Sequence, residues 1–403
     1  MILSIIIVNY NVKYYVEQCL NSIFSSKDLD ISEVEIFVID NFSRDNSVSY
    51  LKTQFPRKQY TNLHIIANKR NVGFGRANNQ AVKKAIGKYL LFLNPDTILT
   101  EDTLSNSIHL AESKKNLGAI GVKMLHTNGS FALESRRGIP SPWVSLCKMT
   151  GLTTLFPKSK CFGKYYMQYY SKEDINEIDV VSGAFMLIPL SSLKTCGSFD
   201  ETFFMYGEDI DLSYRLKKAG FHNYYCPTPI LHYKGESTKK NTYRYVHVFY
   251  EAMLIFFHKH YRHYNLLFSI PIKIAIILRA ILALIIQQVH ALKAFLSPIS
   301  TYDKQRMLYL GHSSDMIKQI AEEYGLNMDY YNTDEVETPK GHDSLNINIS
   351  PYIHIIYDMN DFSTNYVLKT FENQRNRKIH VGTFYPHRGI LITGCRVYTK
   401  DCL

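Results

Sequence analysis

The chain has little cysteine, and none of it is spaced for pairing. Seven cysteines (19, 147, 161, 196, 226, 395 and 402) are scattered through 403 residues with no CxxC. That excludes a disulfide framework and a cysteine-ligated zinc site, and reads as reduced thiols. No secretory leader is visible. Met1 runs straight into Leu3-Ser4-Ile5-Ile6-Ile7-Val8, too short for an h-region with a cleavage site and better read as a buried strand. No GxGxxG fingerprint occurs: Asn68–Gly75 bears glycines without that spacing, and Leu310-Gly311-His312-Ser313-Ser314 has only one. Internal repeats and low-complexity tracts are absent. Acidic residues are the minority, 36 against 46 lysines and arginines, giving a net charge of +10. A basic balance suits nucleic acid, an anionic membrane surface or phosphorylated substrates. What remains is a hydrophobic content of 46%, enough for a sizeable core, in a length that suits roughly one to three domains.

The first half alternates strand and helix. Ile2–Val8, Val34–Ile39, Leu63–Ala67 and Tyr89–Leu93 read as strands; Tyr14–Ser25, Ser47–Gln54 and Gly75–Ile86 read as helices. Continuous apolar strands spaced by helices predict an α/β fold, a mainly parallel sheet with helices on both faces. Ligands of such sheets sit at the carboxyl ends of the strands. Asn9, Asp40, Asn71 and Asp96 all follow strands, which points to one shared site. A further helix and the strand Ile120–Leu125 fall within 102–130. Residues 131–178 are rich in tyrosine and carry Pro140, Pro142 and Pro157. They read as a long, partly mobile connection, the usual place for a substrate loop. Val180–Pro189 reads as a strand carrying Ser182-Gly183-Ala184, Phe221–Cys226 as a short strand, and His232–Ser237 as a loop.

The densest acidic cluster is Gly207-Glu208-Asp209-Ile210-Asp211, where a helix is expected to begin. Carboxylates suit a helix N-terminus, with its unpaired N–H groups and its dipole. Leu212 and Leu216 share a face, Asp211 and Arg215 are spaced to pair, and Gly220 suits a left-handed cap. By itself this stretch reads equally well as a capped surface helix.

From Lys239 the composition turns basic and aromatic, and residues 266–296 are strongly apolar. Lys273 and Arg279 interrupt that run, and each costs roughly 3 kcal/mol at a bilayer centre. Ile274, Leu278, Ile281, Ile285, Val289, Leu292 and Leu296 form one stripe, with Lys273, Arg279, Gln287, His290 and Lys293 mostly opposite. The pattern is that of a helix lying in the membrane interface; a docked soluble helix and a true span are the alternatives. The basic residues interleave with this apolar run and form no RNA-binding motif, so no nucleic-acid partner is expected. Residues 301–403 read as an added small α/β unit of unknown role.

Several strand ends carry candidate chemistry. Asp96 in Asn94-Pro95-Asp96 suits a divalent cation beside a diphosphate, although the triplet is also a good turn. Asp40 suits a base N–H, whereas Asp45 reads as a helix cap. Arg136 and Arg137, before Gly138-Ile139-Pro140, read either as a grip on a lipid diphosphate or as a solvated basic turn.

In order, these pieces are Ile6-Ile7-Val8-Asn9-Tyr10-Asn11, Val38-Ile39-Asp40-Asn41-Phe42-Ser43, Asn71-Val72-Gly73-Phe74-Gly75-Arg76-Ala77-Asn78-Asn79 and Leu93-Asn94-Pro95-Asp96. Ser182-Gly183-Ala184 and Phe199-Asp200-Glu201, running through Phe203-Phe204 into Gly207-Glu208-Asp209 and Asp211-Leu212, complete them. Each is a weak signal alone; the order and spacing over residues 2–240 resemble the GT-A glycosyltransferases of family 2, especially bacterial rhamnosyltransferase-like members. The resemblance implies a GT-A nucleotide-diphospho-sugar transferase fold. It implies donor contacts from Asn9, Tyr10, Asp40, Asn71, Gly73 and Asn94, the last standing where many members have Asp. It implies Mg2+ or Mn2+ held by Asp96, with His232 where some relatives place a histidine; a packed histidine is the alternative there. Asp209 matches the catalytic base, and Glu208, Arg136 and Arg137 fall on the acceptor side.

The resulting expectation is an inverting glycosyltransferase using a nucleotide-diphosphate sugar (a UDP- or dTDP-sugar). Its acceptor would be lipid-linked or a polysaccharide, in cell-surface glycan synthesis. It would act at an anionic membrane surface, peripheral or monotopic on the cytoplasmic face of the plasma membrane. Domains are expected at 1–240 (catalytic), 241–300 (membrane-associated) and 301–403. The rival readings are a nucleotidyltransferase, which would need a glycine-rich N-terminal signature that Ile5–Asn11 does not offer, and a non-catalytic nucleotide-sugar scaffold or sensor.

Overall fold

The computed structural model describes residues 1–233, 243–261, 288–289, 306–331, 340–345, 347–394 and 396–400. The expected interfacial helix over 266–296 lies outside the described residues, save 288–289. Among the described residues, no helix is long and apolar enough to cross a membrane.

The chain opens with β1 (Leu3–Asn9), α1 (Lys13–Phe24), β2 (Val34–Asp40), α2 (Ser47–Gln54), β3 (Leu63–Ala67), α3 (Phe74–Val82) and β4 (Tyr89–Leu93). β1 lies parallel between β2 and β4, and all seven of its residues are buried. Burial on both faces is why it reads as an unbroken apolar run. α3 ends at Val82, short of the expected Ile86. The buried Glu35–Ser4 pair captures the next amides: Ile86 N–H donates to Glu35 and Gly87 N–H to Ser4, which turns the chain into β4.

Next come β5 (Thr97–Leu99), α4 (Thr103–Ser113), β6 (Leu117–Leu125), α5 (Pro142–Met149), α6 (Leu152–Leu155), β7 (Asn176–Ile178), β8 (Phe185–Pro189) and α7 (Leu190–Cys196). α8 (Glu208–Lys218), β9 (His222–His232) and α9 (Tyr243–His260) follow. The large sheet has the order β3-β2-β1-β4-β8-β6-β9-β5, with β7 beside β9. β8 runs antiparallel to β4, and β5 antiparallel to β9.

Three expectations need correction. Residues 131–178 are not a featureless loop. Ser141 caps α5 by accepting from Val144 N–H, and Pro142 occupies its first turn, a start signal left unread in the sequence. Val180–Pro189 is strand only from Phe185, because Ser182–Ala184 bends toward α8. β9 runs on from Cys226 through Pro227 and Pro229 to His232, with a register shift against β6 that accommodates the prolines. His232 therefore ends a strand and does not begin a loop.

The second sheet is built from β10 (Arg306–Leu310), α10 (Ser314–Glu323), β11 (Asn327–Tyr331), β12 (Tyr352–Asp358), α11 (Thr364–Asn373), β13 (His380–Tyr385), β14 (Ile390–Ile392) and β15 (Val397–Thr399). Its order is β11-β10-β12-β13-β14-β15, parallel up to β13 and antiparallel thereafter. It is packed on the first unit, and one hydrophobic cluster runs from Leu3 and Tyr15 through to Tyr357 and Phe371.

Candidate active site

The carboxyl ends of β1, β2 and β4 open on one edge of the large sheet. Asn9 is fully buried and donates from Nδ2 to Asp40 Oδ1 at 2.7 Å and to Ser43 Oγ at 3.2 Å. Asp40 Oδ2 accepts from Ser43 N–H at 3.0 Å, so the aspartate is fixed from two sides. Asn41 is the hub beside it. Its Oδ1 accepts from Val72 N–H at 3.0 Å and Asn68 Nδ2 at 3.2 Å, and its Nδ2 donates to Asn71 Oδ1 at 3.0 Å. Asn71 Oδ1 also accepts from Gly73 N–H at 3.0 Å. Gly73 has φ +88°, and a Cβ there would lie 2.7 Å from the Phe204 carbonyl oxygen, so only glycine fits. Tyr10, Phe42 and Phe204 are exposed around this cradle. Asn9, Asp40, Asn71 and Gly73 thus come together, and Tyr10 stands at their rim. Asn41 was not singled out in the sequence; its signal was the polar doublet Asp40-Asn41 closing an apolar strand.

Asp96 sits one turn beyond β4 and is buried. The antiparallel pairing of β5 with β9 sets Thr97 opposite His232, which brings the histidine to the aspartate. His232 Nε2 lies 3.4 Å from Asp96 Oδ1 and 3.4 Å from Asn94 Nδ2. Among the described residues no cluster of three or more His, Cys, Asp or Glu side chains could hold a metal. Two ligands at right angles on a small divalent cation lie about 3 Å apart, because each bond is about 2.1 Å long. The Asp96–His232 spacing fits such a cation, provided a diphosphate and water complete its shell, as Mg2+ commonly requires.

α8 carries the second carboxylate group. Gly207, at φ +81°, turns the chain into the helix, and Glu208, Asp209 and Asp211 fill its first turn. Asp209 Oδ2 accepts from Gly183 N–H at 3.1 Å and pairs with Arg137; its Oδ1 accepts from Ile210 N–H at 2.8 Å. The next residue along from Gly183, Ala184, accepts from Asn94 N–H at 3.0 Å. Asp209 and the Asn94–Asp96 turn are therefore joined through two consecutive residues of the bend before β8. Glu208 is buried beside them. Burial, then the charge of Asp209, pushes its carboxyl up to about 8.

Asp211 faces the other way. It pairs with Arg215 at 2.7 Å, as the spacing predicts, and takes His260 at 2.7 Å and Lys259 at 2.8 Å from α9. Burial raises its carboxyl, but the bonds from His260, Lys259 and Arg215 outweigh that and bring it down to about 2.

Arg136 and Arg137 separate. The backbone at Arg136 is extended, so successive side chains point to opposite faces. Arg137 turns to Asp209. Arg136 is buried, donates to the carbonyls of Tyr170 and Ser171, and packs over Phe131 and Tyr225. The structure does not bring it to Asp209.

Residues 4–194 match the model of the family described as glycosyl transferase family 2. The chain carries a family 2 glycosyltransferase domain. It is a glycosyltransferase, and its large sheet with flanking helices is the GT-A-like α/β fold. Among curated relatives, it is 25% identical over 252 residues to the N-acetylglucosaminyl-diphospho-decaprenol L-rhamnosyltransferase of Mycobacterium tuberculosis, covering 60% of this chain and 78% of that protein. It is 29% identical over 265 residues to the rhamnosyltransferase WbbL of Escherichia coli, covering 60% of this chain and 91% of that one. Among solved structures, the mannosyltransferase PcManGT of Pyrobaculum calidifontis, in complex with GDP-Man and Mn2+, aligns with a TM-score of 0.46 at 16% identity, over 74% of this chain and 81% of that one.

Proposed function

We propose that this glycosyltransferase inverts configuration as it moves a sugar from a UDP- or dTDP-sugar to a hydroxyl of a lipid-linked or polysaccharide acceptor in cell-surface glycan synthesis. The observation that carries the reading is the short link from Asp209 through Gly183 and Ala184 to the Asn94–Asp96 turn. It supports the reading because it ties the Asp209 carboxylate to the turn that carries Asp96, one carboxylate for each task.

In this reading Asp209 accepts the proton of the acceptor hydroxyl as that oxygen bonds to the anomeric carbon. The bond from that carbon to the diphosphate oxygen breaks on the opposite side, so the configuration inverts. Asn9, Tyr10, Asp40, Asn71 and Gly73 hold the nucleoside, with Asn94 nearer the diphosphate. Asp96 and His232 would hold Mg2+ or Mn2+, which neutralises the charge growing on the leaving diphosphate. Glu208 is buried, and burial and the charge of Asp209 push its carboxyl upward, so Asp209 is the carboxylate this reading assigns to the acceptor. Arg137 holds the Asp209 carboxylate until the acceptor arrives.

The names of the relatives support a rhamnosyl-type transfer, and that of the Mycobacterium tuberculosis enzyme supports an acceptor carried on a lipid diphosphate. We also propose that residues 1–240 form the catalytic domain, and that the basic segment from 241 to 300 holds it against the cytoplasmic face of the plasma membrane.

The test is Asp209→Asn, assayed for transfer and, by calorimetry, for donor binding. Transfer should vanish while donor binding with Mn2+ survives. Near-normal turnover would remove Asp209 from the role. Asp96→Asn and His232→Ala should each weaken the dependence of donor binding on Mn2+; binding equally tight with chelator in every variant would remove the cation site.

A further inference from the structure

One stretch of the surface is not explained by donor or catalytic chemistry. Residues 138–172 contain five lysines (148, 158, 160, 164 and 172) and no aspartate or glutamate. Within them α5 and α6 turn apolar side chains outward. Trp143 is 48% exposed, Leu146 46%, Met149 47%, Leu155 70% and Phe156 47%. Trp143, Leu146 and Met149 recur every three residues and form one stripe, while Val144, Ser145 and Cys147 face the protein. Phe162 ties the two helices together, its ring 6.0 Å from Trp143 and 5.6 Å from Phe156. The result is one continuous aromatic and aliphatic plate. Lys148 turns back onto Tyr166, whereas Lys158, Lys160 and Lys164 remain exposed at the rim.

The plate is rooted at the candidate active site. Gly138 N–H donates to Tyr165 O at 3.0 Å, closing the base of the excursion. The residue before it is Arg137, the partner of Asp209.

We propose that the α5–α6 plate is a membrane-docking surface that seats on an anionic leaflet. The charge argues for lipid. Exposed apolar and tryptophan side chains rimmed by lysines, with no acidic residue in the whole stretch, match an interfacial element facing anionic headgroups. Docking there places Asp209 over the headgroup layer, where a lipid-linked acceptor presents its sugar. The purpose of the surface rests on the lipid-linked acceptor proposed above; its test does not.

Trp143 is the only tryptophan in the chain, so intrinsic fluorescence reports on this one place. The full chain is mixed with phosphatidylcholine vesicles with and without phosphatidylglycerol. With phosphatidylglycerol, Trp143 emission should shift to the blue and be quenched by brominated acyl chains. Lys158→Ala with Lys160→Ala should lower the affinity for those vesicles about 30-fold, taking the usual contribution of each surface lysine. Leu155→Ser with Phe156→Ser should lose the quenching and keep donor binding, which shows the variant to be folded. Vesicles that sediment the protein while Trp143 emission stays unchanged would overturn the proposal, since the anchor then lies elsewhere. A concentration-dependent shift without vesicles would overturn it too, because a second copy then covers the plate. Sugar transfer to a soluble acceptor, measured without vesicles, tests the enzymatic reading separately.

Discussion

Glu208 offers a direct test of the electrostatics at the mouth of α8. Its side chain is buried, and its Oε2 has no hydrogen-bond partner among the described residues. Burial and the neighbouring Asp209 push its carboxyl from 4.5 to about 8; its own backbone N–H and Arg137 pull less strongly the other way. Below pH 4.5 both folded and unfolded chains hold this proton, and the group contributes nothing to the pH dependence. Between 4.5 and about 8 the folded chain keeps the proton and the unfolded chain has lost it. Stability therefore falls as pH rises through that window, by at most about 1.4 kcal/mol per pH unit from this group. Across the whole window the limit is about 5 kcal/mol. Glu208→Gln keeps the shape and removes the titration. Urea unfolding at pH 5, 6, 7 and 8 should show the variant gaining on the parent steadily, by about 2 kcal/mol or more at pH 8. Parallel curves for the two proteins would refute the reasoning, since they would mean that Glu208 ionises freely in the fold.

Gly73→Ala should cost about 1–3 kcal/mol and weaken donor binding, read by thermal melting and donor titration, because the new methyl meets the Phe204 carbonyl at a positive φ. Asp211→Asn should cost about 3–5 kcal/mol in urea, since it strips one buried carboxylate from Arg215, Lys259 and His260. The stabilisation it removes is full above pH 3.8 and is lost as pH falls through about 2, so the variant should resemble the parent most closely in strong acid. Lys123→Met should speed hydrogen exchange in α11, because Glu372 then keeps only Lys172 as its partner; exchange unchanged there would show the Lys123 contact to be idle.

Much of the first unit was legible because strands buried on both faces are written as uninterrupted apolar runs. α2, β3 and β4 have the bounds the pattern predicts. Legibility failed where local chemistry decided the outcome. α5 depends on a serine cap and an N-terminal proline within a stretch that reads as loop. The two prolines of β9 made one continuous strand read as a break. β11 and β15 are short strands at the margins of the second sheet, with too few buried positions to show a period. In the site, the polar strand ends Asn9, Asp40 and Asp96 announced themselves by position. The role of Gly183 could not be read, because what it supplies is a backbone N–H, and that group has no letter in the sequence. Arg136 and Arg137 look alike on paper, and the alternation of an extended backbone tells them apart.

The second sheet, to which the sequence assigned no chemistry, stands directly behind the site. α1 leads away from the Asn9 loop, and one turn of it faces both ways. Cys19 Sγ lies 3.8 Å from Asn94 O and 3.7 Å from Thr97 Oγ1, at the turn that carries Asp96. The preceding residues hold the second unit: Gln18 donates to Thr383 at 2.6 Å and to Tyr385 at 3.1 Å, and Glu17 pairs with Arg388 at 3.2 Å. Tyr233, next to His232, packs edge-on against Tyr15 of the same helix. On the far side Glu372 takes both Lys123 of β6 and Lys172, which ends the stretch that carries the α5–α6 plate. Buried polar contacts of this kind are costly to leave unmade, and the hydrophobic cluster beneath them is continuous across both units. The second sheet therefore acts as a brace: it fixes α1 behind the Asn94–Asp96 turn at one end and the root of the exposed plate at the other.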